Sequence, residues 1–287
     1  MSSGMQIVQA KNFDLDSVTF SEPRVNTYGG KSVYLNYNRK PLVIQTEELL
    51  CQWGLSVFEP KDGGAPKYSM DLSFRGFETN PKIAALLDKL KELDTKMVET
   101  AVENSLPWFT KKNLKAEVVD EMLYNKTVRY SRDKETGELV TKWPPTWKIK
   151  IPYREDRCST CFYDESKQEI EMENIHEDLA NILQKKCKVK LLAQCNGVWF
   201  AGGKFGLSWK ALQVRVKSAG GLSGYSFVDE SDDEGGDDIE EDDEDGSGDA
   251  LDNQVADSSS DEDSEDEDEE EPVVVKVTKK RGRKKKN

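Results

Sequence analysis

Basic and aromatic residues interleave late in the chain. Between positions 147 and 215 stand Trp147, Lys148, Lys150, Tyr153, Arg154, Lys188, Lys190, Trp199, Phe200, Lys204, Phe205, Trp209, Lys210 and Arg215. Cations that track phosphates, beside rings on which bases stack, are what an unpaired polynucleotide requires. Each stacked base is worth ~1–3 kcal/mol. The competing reading is that most of these rings are core. Trp147 keeps step with Ile149 and Ile151 and leans toward the core. If Leu212, Val214 and Val216 point inward, alternation turns Trp209, Gln213 and Arg215 outward, unless a bulge at Gly206 shifts the register.

The charges are segregated. The 287 residues hold 41 Lys+Arg and 55 Asp+Glu, a net of −14. Residues 229–271, from Asp229 to Glu271, hold 26 acidic residues and no basic one. Residues 1–228 hold 33 basic and 29 acidic residues, a net of +4, which excludes a uniformly acidic globular protein. A run so poor in apolar side chains cannot offset the entropy of ordering and is expected to be disordered. It reads either as a solubilising tail or as a tethered mimic of a phosphate backbone. On a flexible tether it meets the body at an effective concentration of order mM. Ser231, Ser258, Ser259, Ser260 and Ser264 sit among acids, where phosphorylation would deepen the negative charge.

The chain ends in Lys279, Lys280, Arg281, Gly282, Arg283, Lys284, Lys285 and Lys286. Nuclear import is the commonest role of such a cluster. A minor-groove hook centred on Arg281-Gly282-Arg283, a phosphate clamp, or pairing with the acidic run are the alternatives.

Other chemistries fit less well. Cys158-x-x-Cys161 has a zinc-pair spacing, and Cys187 and Cys195 are the thiols that would complete a tetrahedral site. Those two are eight positions apart on apolar strand positions, where buried free cysteine is ordinary. No metal and no cofactor are therefore expected. One histidine, His176, weakens any His-dependent nucleophile scheme. Gly197 to Lys204 has one residue too many for a phosphate loop, and Phe205 stands where Ser or Thr is needed. No apolar run approaches the ~18 residues of a membrane helix. The start, MSSGMQIVQAKNFDLD, lacks the apolar core of a secretory signal.

The elements that would position these residues are mostly strands. KSVYLNYN alternates Val33, Leu35 and Tyr37 against Ser32, Tyr34 and Asn36. PLVIQT, WGLSVF and YSMDLSF follow as further strands. Asn80-Pro81 signals a helix start, and Ile83, Leu86, Leu87, Leu90, Leu93, Met97 and Ala101 continue at helical spacing until Pro107 closes the segment. Glu92 and Lys96 are spaced for an ion pair. A shorter helix is expected around 115–124, with Val118, Val119, Met122 and Leu123 on one side. TWKIKIP resumes the strands, CSTCFY and QEIEME suggest a hairpin, and Ile175, Leu179, Ile182 and Leu183 mark a third helix. CKVKLLAQCNGVWFA and KFGLSWKALQVRVK close the body as a hairpin turned at Gly202-Gly203. The fold class that follows is mainly β with helical insertions (α+β), a small antiparallel barrel.

The order VWFAGGKFGLSWKALQVRVK, preceded by TWKIKIP, resembles the single-stranded DNA-binding proteins of nucleo-cytoplasmic large DNA viruses. These in turn resemble the phage single-stranded DNA-binding proteins that join an OB-fold to an acidic C-terminal tail. The resemblance spans roughly residues 10–218 and is sharpest at Lys204-Phe205-Gly206-Leu207-Ser208-Trp209-Lys210. The basic end departs from the phage plan, which finishes in acid and an aromatic. The resemblance implies an OB-fold antiparallel barrel over 1–222 with a helical insertion around 80–124, an acidic tail at 223–275 and a basic segment at 276–287. It implies no enzyme activity. Alternation and resemblance together give Phe205, Trp209 and Tyr153 as stacking rings. They give Lys148, Lys150, Arg154, Lys188, Lys190, Lys204, Lys210 and Arg215 as phosphate contacts.

The expected function is sequence-tolerant single-stranded DNA binding in viral replication, recombination and repair. The expected place is the viral factory or host nucleus, with the virion as a further location. The tail would weaken DNA binding and recruit a viral DNA polymerase, helicase or primase. No membrane partner is expected. The rival reading is an acidic-tailed chaperone or scaffold for basic, histone-like or virion-core proteins.

Overall fold

The computed structural model describes residues 5–25, 30–61, 63–133 and 136–217. The tail from Asp229 to Glu271, its serines and the basic end lie outside the described residues. The chain is mostly β with few helices. In chain order we name β1 (Lys31–Val33), β2 (Val43–Gln45), β3 (Leu49–Phe58), β4 (Lys67–Ser73), α1 (Pro81–Glu103) and α2 (Ser105–Phe109). There follow β5 (Thr146–Ile151), β6 (Cys161–Tyr163), α3 (Ile175–Ile182), β7 (Cys187–Ala201) and β8 (Lys204–Lys217).

Five strands pair in a closed circuit. β3 pairs antiparallel with β4, and β4 antiparallel with β5. β5 lies parallel to β8 at Lys150↔Lys210, β8 pairs antiparallel with β7, and β7 returns to β3 at Cys187↔Cys51. The reason lies in the alternation. In β5, Trp147, Ile149 and Ile151 are buried while Thr146, Lys148 and Lys150 are half-buried on the other face. One face of each strand joins the core and the other is left for solvent or a ligand. Fully burying such a side chain contributes ~1.5–3 kcal/mol. β1 and β2 extend the sheet along β7. As the alternation of KSVYLNYN implies, Val33, Leu35 and Tyr37 are buried.

Asn80 starts α1 by accepting from the N–H groups of Lys82 and Ile83 at 3.0 and 3.4 Å. The helix buries Ile83, Leu86, Leu87, Leu90, Leu93, Met97 and Ala101, the expected stripe. One polar residue joins it. The Asp94 carboxylate accepts from Tyr124 Oη at 2.6 Å and from the backbone N–H groups of Thr127 and Val128 at 3.0 and 3.1 Å. Tyr124–Asn125 runs parallel to Phe205–Gly206 of β8. The helical insertion is thereby tied to the far end of the long hairpin.

Several local expectations are corrected. Lys89, not Lys96, meets Glu92 at 2.6 Å, and Lys96 Nζ donates to Leu15 O at 2.8 Å. Pro107 does not close the helical segment but is the third residue of α2, after the break at Asn104 and in a first turn that needs no donor from it. The helix expected around 115–124 is present over 116–123, but only Ala116–Val118 is α-helical before one π-helical turn, Val119–Leu123. Its face is not continuous, since Val119 is buried but Met122 is 67% exposed. CSTCFY and QEIEME do meet as a short hairpin, with Ile170 N–H donating to Phe162 O at 2.8 Å and Asp164 N–H to Gln168 O at 3.0 Å. The hairpin is bridged at Tyr163↔Glu169, and on its other edge β6 pairs parallel with Gln213–Arg215.

Candidate nucleic-acid interface

The outer face of the strand circuit can be read from its register. Lys150 lies between Ser69 of β4 and Lys210 of β8, and Ser69 lies opposite Ser56 of β3. One step along, Lys148 faces Asp71, and at the strand end Lys67 faces Phe58. Residues two apart on a strand share a face. Lys67, Lys148, Lys150 and Lys210 therefore stand on one side of the circuit, with Ser56, Ser69 and Asp71 among them.

Exposed rings border these lysines. Phe58 is 50% exposed and Trp53 is 58% exposed. Trp53 sits in a bulge of β3 between Cys51, opposite Leu72, and Leu55, opposite Met70, so it flanks the Asp71–Lys148 row. The bulge is built by Gly54 at φ +75°, and Leu55 N–H donates to Leu183 O at 2.9 Å. A Cβ at Gly54 would meet Leu183 O at 2.6 Å, so only glycine lets β3 pass this close to the end of α3. Trp53, Phe58 and Lys67 carry no role in the sequence reading. A glycine inside a strand beside a tryptophan was the available signal, since such a glycine often marks a bulge that re-aims a side chain.

The predicted stacking rings need correction. Phe205 is fully buried and Trp209 is 2% exposed. Trp209 packs edge-to-face on Trp147, with centroids 5.0 Å apart, and Phe205 packs on Tyr124 at 5.0 Å. The register explains it. Val214 and Val216 do point inward and Arg215 outward, but β7 and β8 slip past each other between Leu192 and Ala193. Gln213 pairs with Leu192 while Ala211 pairs with Ala193, so Leu212 is an extra residue. The bulge lies there and not at Gly206. It turns Ala211, Trp209 and Leu207 inward and Lys210 outward. Gly206 serves another purpose: the Trp199 ring lies across it, where a Cβ would come within 2.9 Å of the indole.

The remaining predicted residues divide into separate groups. Lys188, exposed, and Lys190 lie opposite Lys217 and Arg215 on the β7–β8 outer face. Glu47 carboxylate approaches Lys190 Nζ at 3.5 Å, and Glu165 approaches Lys217 at 3.9 Å. Lys204 is exposed at the hairpin tip, roughly 20 Å along the strand from Lys210 by strand rise. Tyr153 and Arg154 belong to a two-stranded hairpin with Arg157–Cys158. Tyr153 Oη donates to Asp156 at 2.8 Å, its ring edge meets Tyr68 at 5.1 Å, and Arg154 Nε lies 3.8 Å from the Glu155 carboxylate. That hydrogen bond to Asp156 holds the Tyr153 phenol above its ordinary pKa.

The four cysteines of the zinc reading do not converge. Cys187 and Cys195 are separated by ~26 Å along β7 by strand rise, and Cys187 lies across from Cys51. Burial pushes the Cys195 thiol up to about 12, the state of a core residue. Among the described residues no group of three or more His, Cys, Asp or Glu could hold a metal ion. No described helix is long and apolar enough to cross a membrane.

A sequence model described as a family of unknown function, DUF5871, matches residues 77–229, more than half of the chain. The chain belongs to this family. The matched span runs from the start of α1 through the β7–β8 hairpin, so it includes Lys148, Lys150 and Lys210 but not β3 and its rings. No curated protein sequence matches the DUF5871 chain. Among solved structures it is similar to the single-stranded DNA-binding protein from bacteriophage Enc34 in complex with ssDNA. The identity is 15%, with 71% of this chain and 94% of that chain covered, at a TM-score of 0.39. It is also similar to gp2.5, a single-stranded DNA-binding protein encoded by bacteriophage T7. There the identity is 12%, with 67% and 97% covered, at a TM-score of 0.36.

Proposed function

We propose that this protein is a non-enzymatic, sequence-tolerant binder of single-stranded DNA. The observation that carries the reading is the outer face of β3, β4, β5 and β8. It sets Lys67, Lys148, Lys150 and Lys210 beside the exposed rings of Trp53 and Phe58. Cations on the central strands suit phosphates, and rings on the flanking strand suit bases. The strand circuit supports an OB-fold barrel. In chain order its five strands pair 1-2-3-5-4-1, with the third and fifth parallel, and the strand 2–3 face is the one such barrels offer to oligonucleotides.

On this reading the acidic run competes with DNA for a body of net +4, and the tail, once displaced, is open to a polymerase, helicase or primase. The cellular role is viral DNA replication, recombination and repair at the site of genome synthesis. These assignments follow from the tail's charge and from the resemblance carried by Lys204 to Lys210.

A fluorescence titration with oligothymidylate and with duplex DNA tests the proposal. Single strands are expected to bind tighter than duplex. Substituting Lys148, Lys150 and Lys210 by alanine should flatten the salt dependence of log K by roughly 0.7 per contact removed. Absence of single-strand binding by the full chain, or a salt slope unmoved by the triple substitution, would overturn the assignment.

A further inference from the structure

A concave site lies away from the lysine face. The hairpin turns at Gly202–Gly203, and between its tip and α2 is a cleft of about 330 Å³. Phe109 and Phe200, both half-buried, contribute rings whose centroids are 5.8 Å apart, over the buried Trp108. Phe200 is held in place by stacking on Phe205 at 6.0 Å with 17° between planes. Lys31 anchors α2 to β1: its Nζ donates to the carbonyls of Pro107 and Trp108 at the end of that helix. Lys111 and Lys204 are exposed at the rim. No carboxylate is among the lining residues.

A slot walled by fixed rings and rimmed by cations, with no acid to repel an anion, selects a planar anionic molecule. Its volume is at the lower end for small-molecule sites, room for one nucleotide and not for a duplex. We infer that this cleft is a single-nucleotide subsite, taking one unpaired base against Phe109 and Phe200 and its phosphate on Lys111 and Lys204. The inference rests on the proposed binding of unpaired polynucleotide. The same chemistry is offered by a base within a strand and by a free nucleoside 5′-phosphate.

The test is photocrosslinking of the full-length protein to an oligothymidylate carrying one 5-iodouracil, with the labelled peptides mapped by mass spectrometry. Crosslinks at Phe109 or Phe200 are expected. A Lys111→Glu, Lys204→Glu double substitution should lower their yield roughly tenfold while crosslinks at Trp53 persist. Excess thymidine 5′-phosphate that removes the cleft crosslink but spares Trp53 supports the site with a free nucleotide as its occupant. Competition by oligothymidylate alone supports it with a strand. Crosslinks confined to Trp53 and Phe58 overturn the subsite and leave the proposed function standing. An unchanged cleft yield in the double variant overturns the phosphate role of the two lysines. Absence of any binding overturns both proposals.

Discussion

Alanine at Trp53 and alanine at Trp209 separate a binding ring from a structural one. Trp209 is 2% exposed and meets Trp147 edge-to-face at 5.0 Å. Neither indole N–H has a hydrogen-bond partner, so Trp209→Ala removes packing and no hydrogen bond. Truncating a buried tryptophan costs about 3–5 kcal/mol. That is a large share of the ~5–15 kcal/mol that holds a domain folded. Trp53 is 58% exposed, and its truncation should change stability by no more than about 0.5 kcal/mol. Its cost falls on binding instead, ~1–3 kcal/mol, or roughly 5- to 150-fold in Kd. Urea unfolding reads the first quantity, and fluorescence anisotropy with a labelled oligothymidylate reads the second. A Trp209→Ala protein of normal stability and lost affinity would refute the buried assignment. A Trp53→Ala protein that binds like the wild type would remove β3 from the interface.

Truncation after Val228 is expected to tighten oligonucleotide binding, most at ~50 mM salt and little at high salt, where screening already weakens the competing tail; equal affinities at low salt would eliminate the competition. Asp94→Ala strands Tyr124 Oη and two backbone N–H groups, so a loss of roughly 3 kcal/mol or more in denaturant unfolding is expected. Burial pushes the Asp94 carboxyl above its ordinary value of 3.8, against the pull of its three donors. The fold thus favours the protonated acid. This contribution is full below the unfolded-state value and is lost as pH rises through the raised one. Melts from below pH 3.8 upward should show a decline with rising pH that Asp94→Asn abolishes. Gly54→Ala must strain a φ of +75° and press on Leu183 O, so a loss of roughly 1–3 kcal/mol and weaker oligonucleotide binding are expected together. A variant with both properties intact would dissociate the bulge from the presentation of Trp53.

Local pattern was enough for the strands, the Asn80-capped helix, the hairpin at Gly202–Gly203 and the division of charge between body and tail. Each depends on neighbours in sequence: alternation of period two, an apolar stripe of period 3.6, or composition alone. Trp147 could be placed inside because Ile149 and Ile151 keep step with it on an unbroken strand. Lys148 and Lys150 could be placed outside for the same reason.

Long-range pairing decided the rest. Trp209 changed sides because β8 carries one extra residue opposite Leu192 and Ala193, and a one-residue slip reverses every side chain beyond it. Nothing in KALQVRVK marks that slip; it exists only against β7. Trp53 and Phe58 border the lysines because β3 lies beside β4, two strands from β5. Sequence spacing decides which residues share one strand's face, whereas the closing of the strands on one another decides which faces meet, and a binding surface is made from the second.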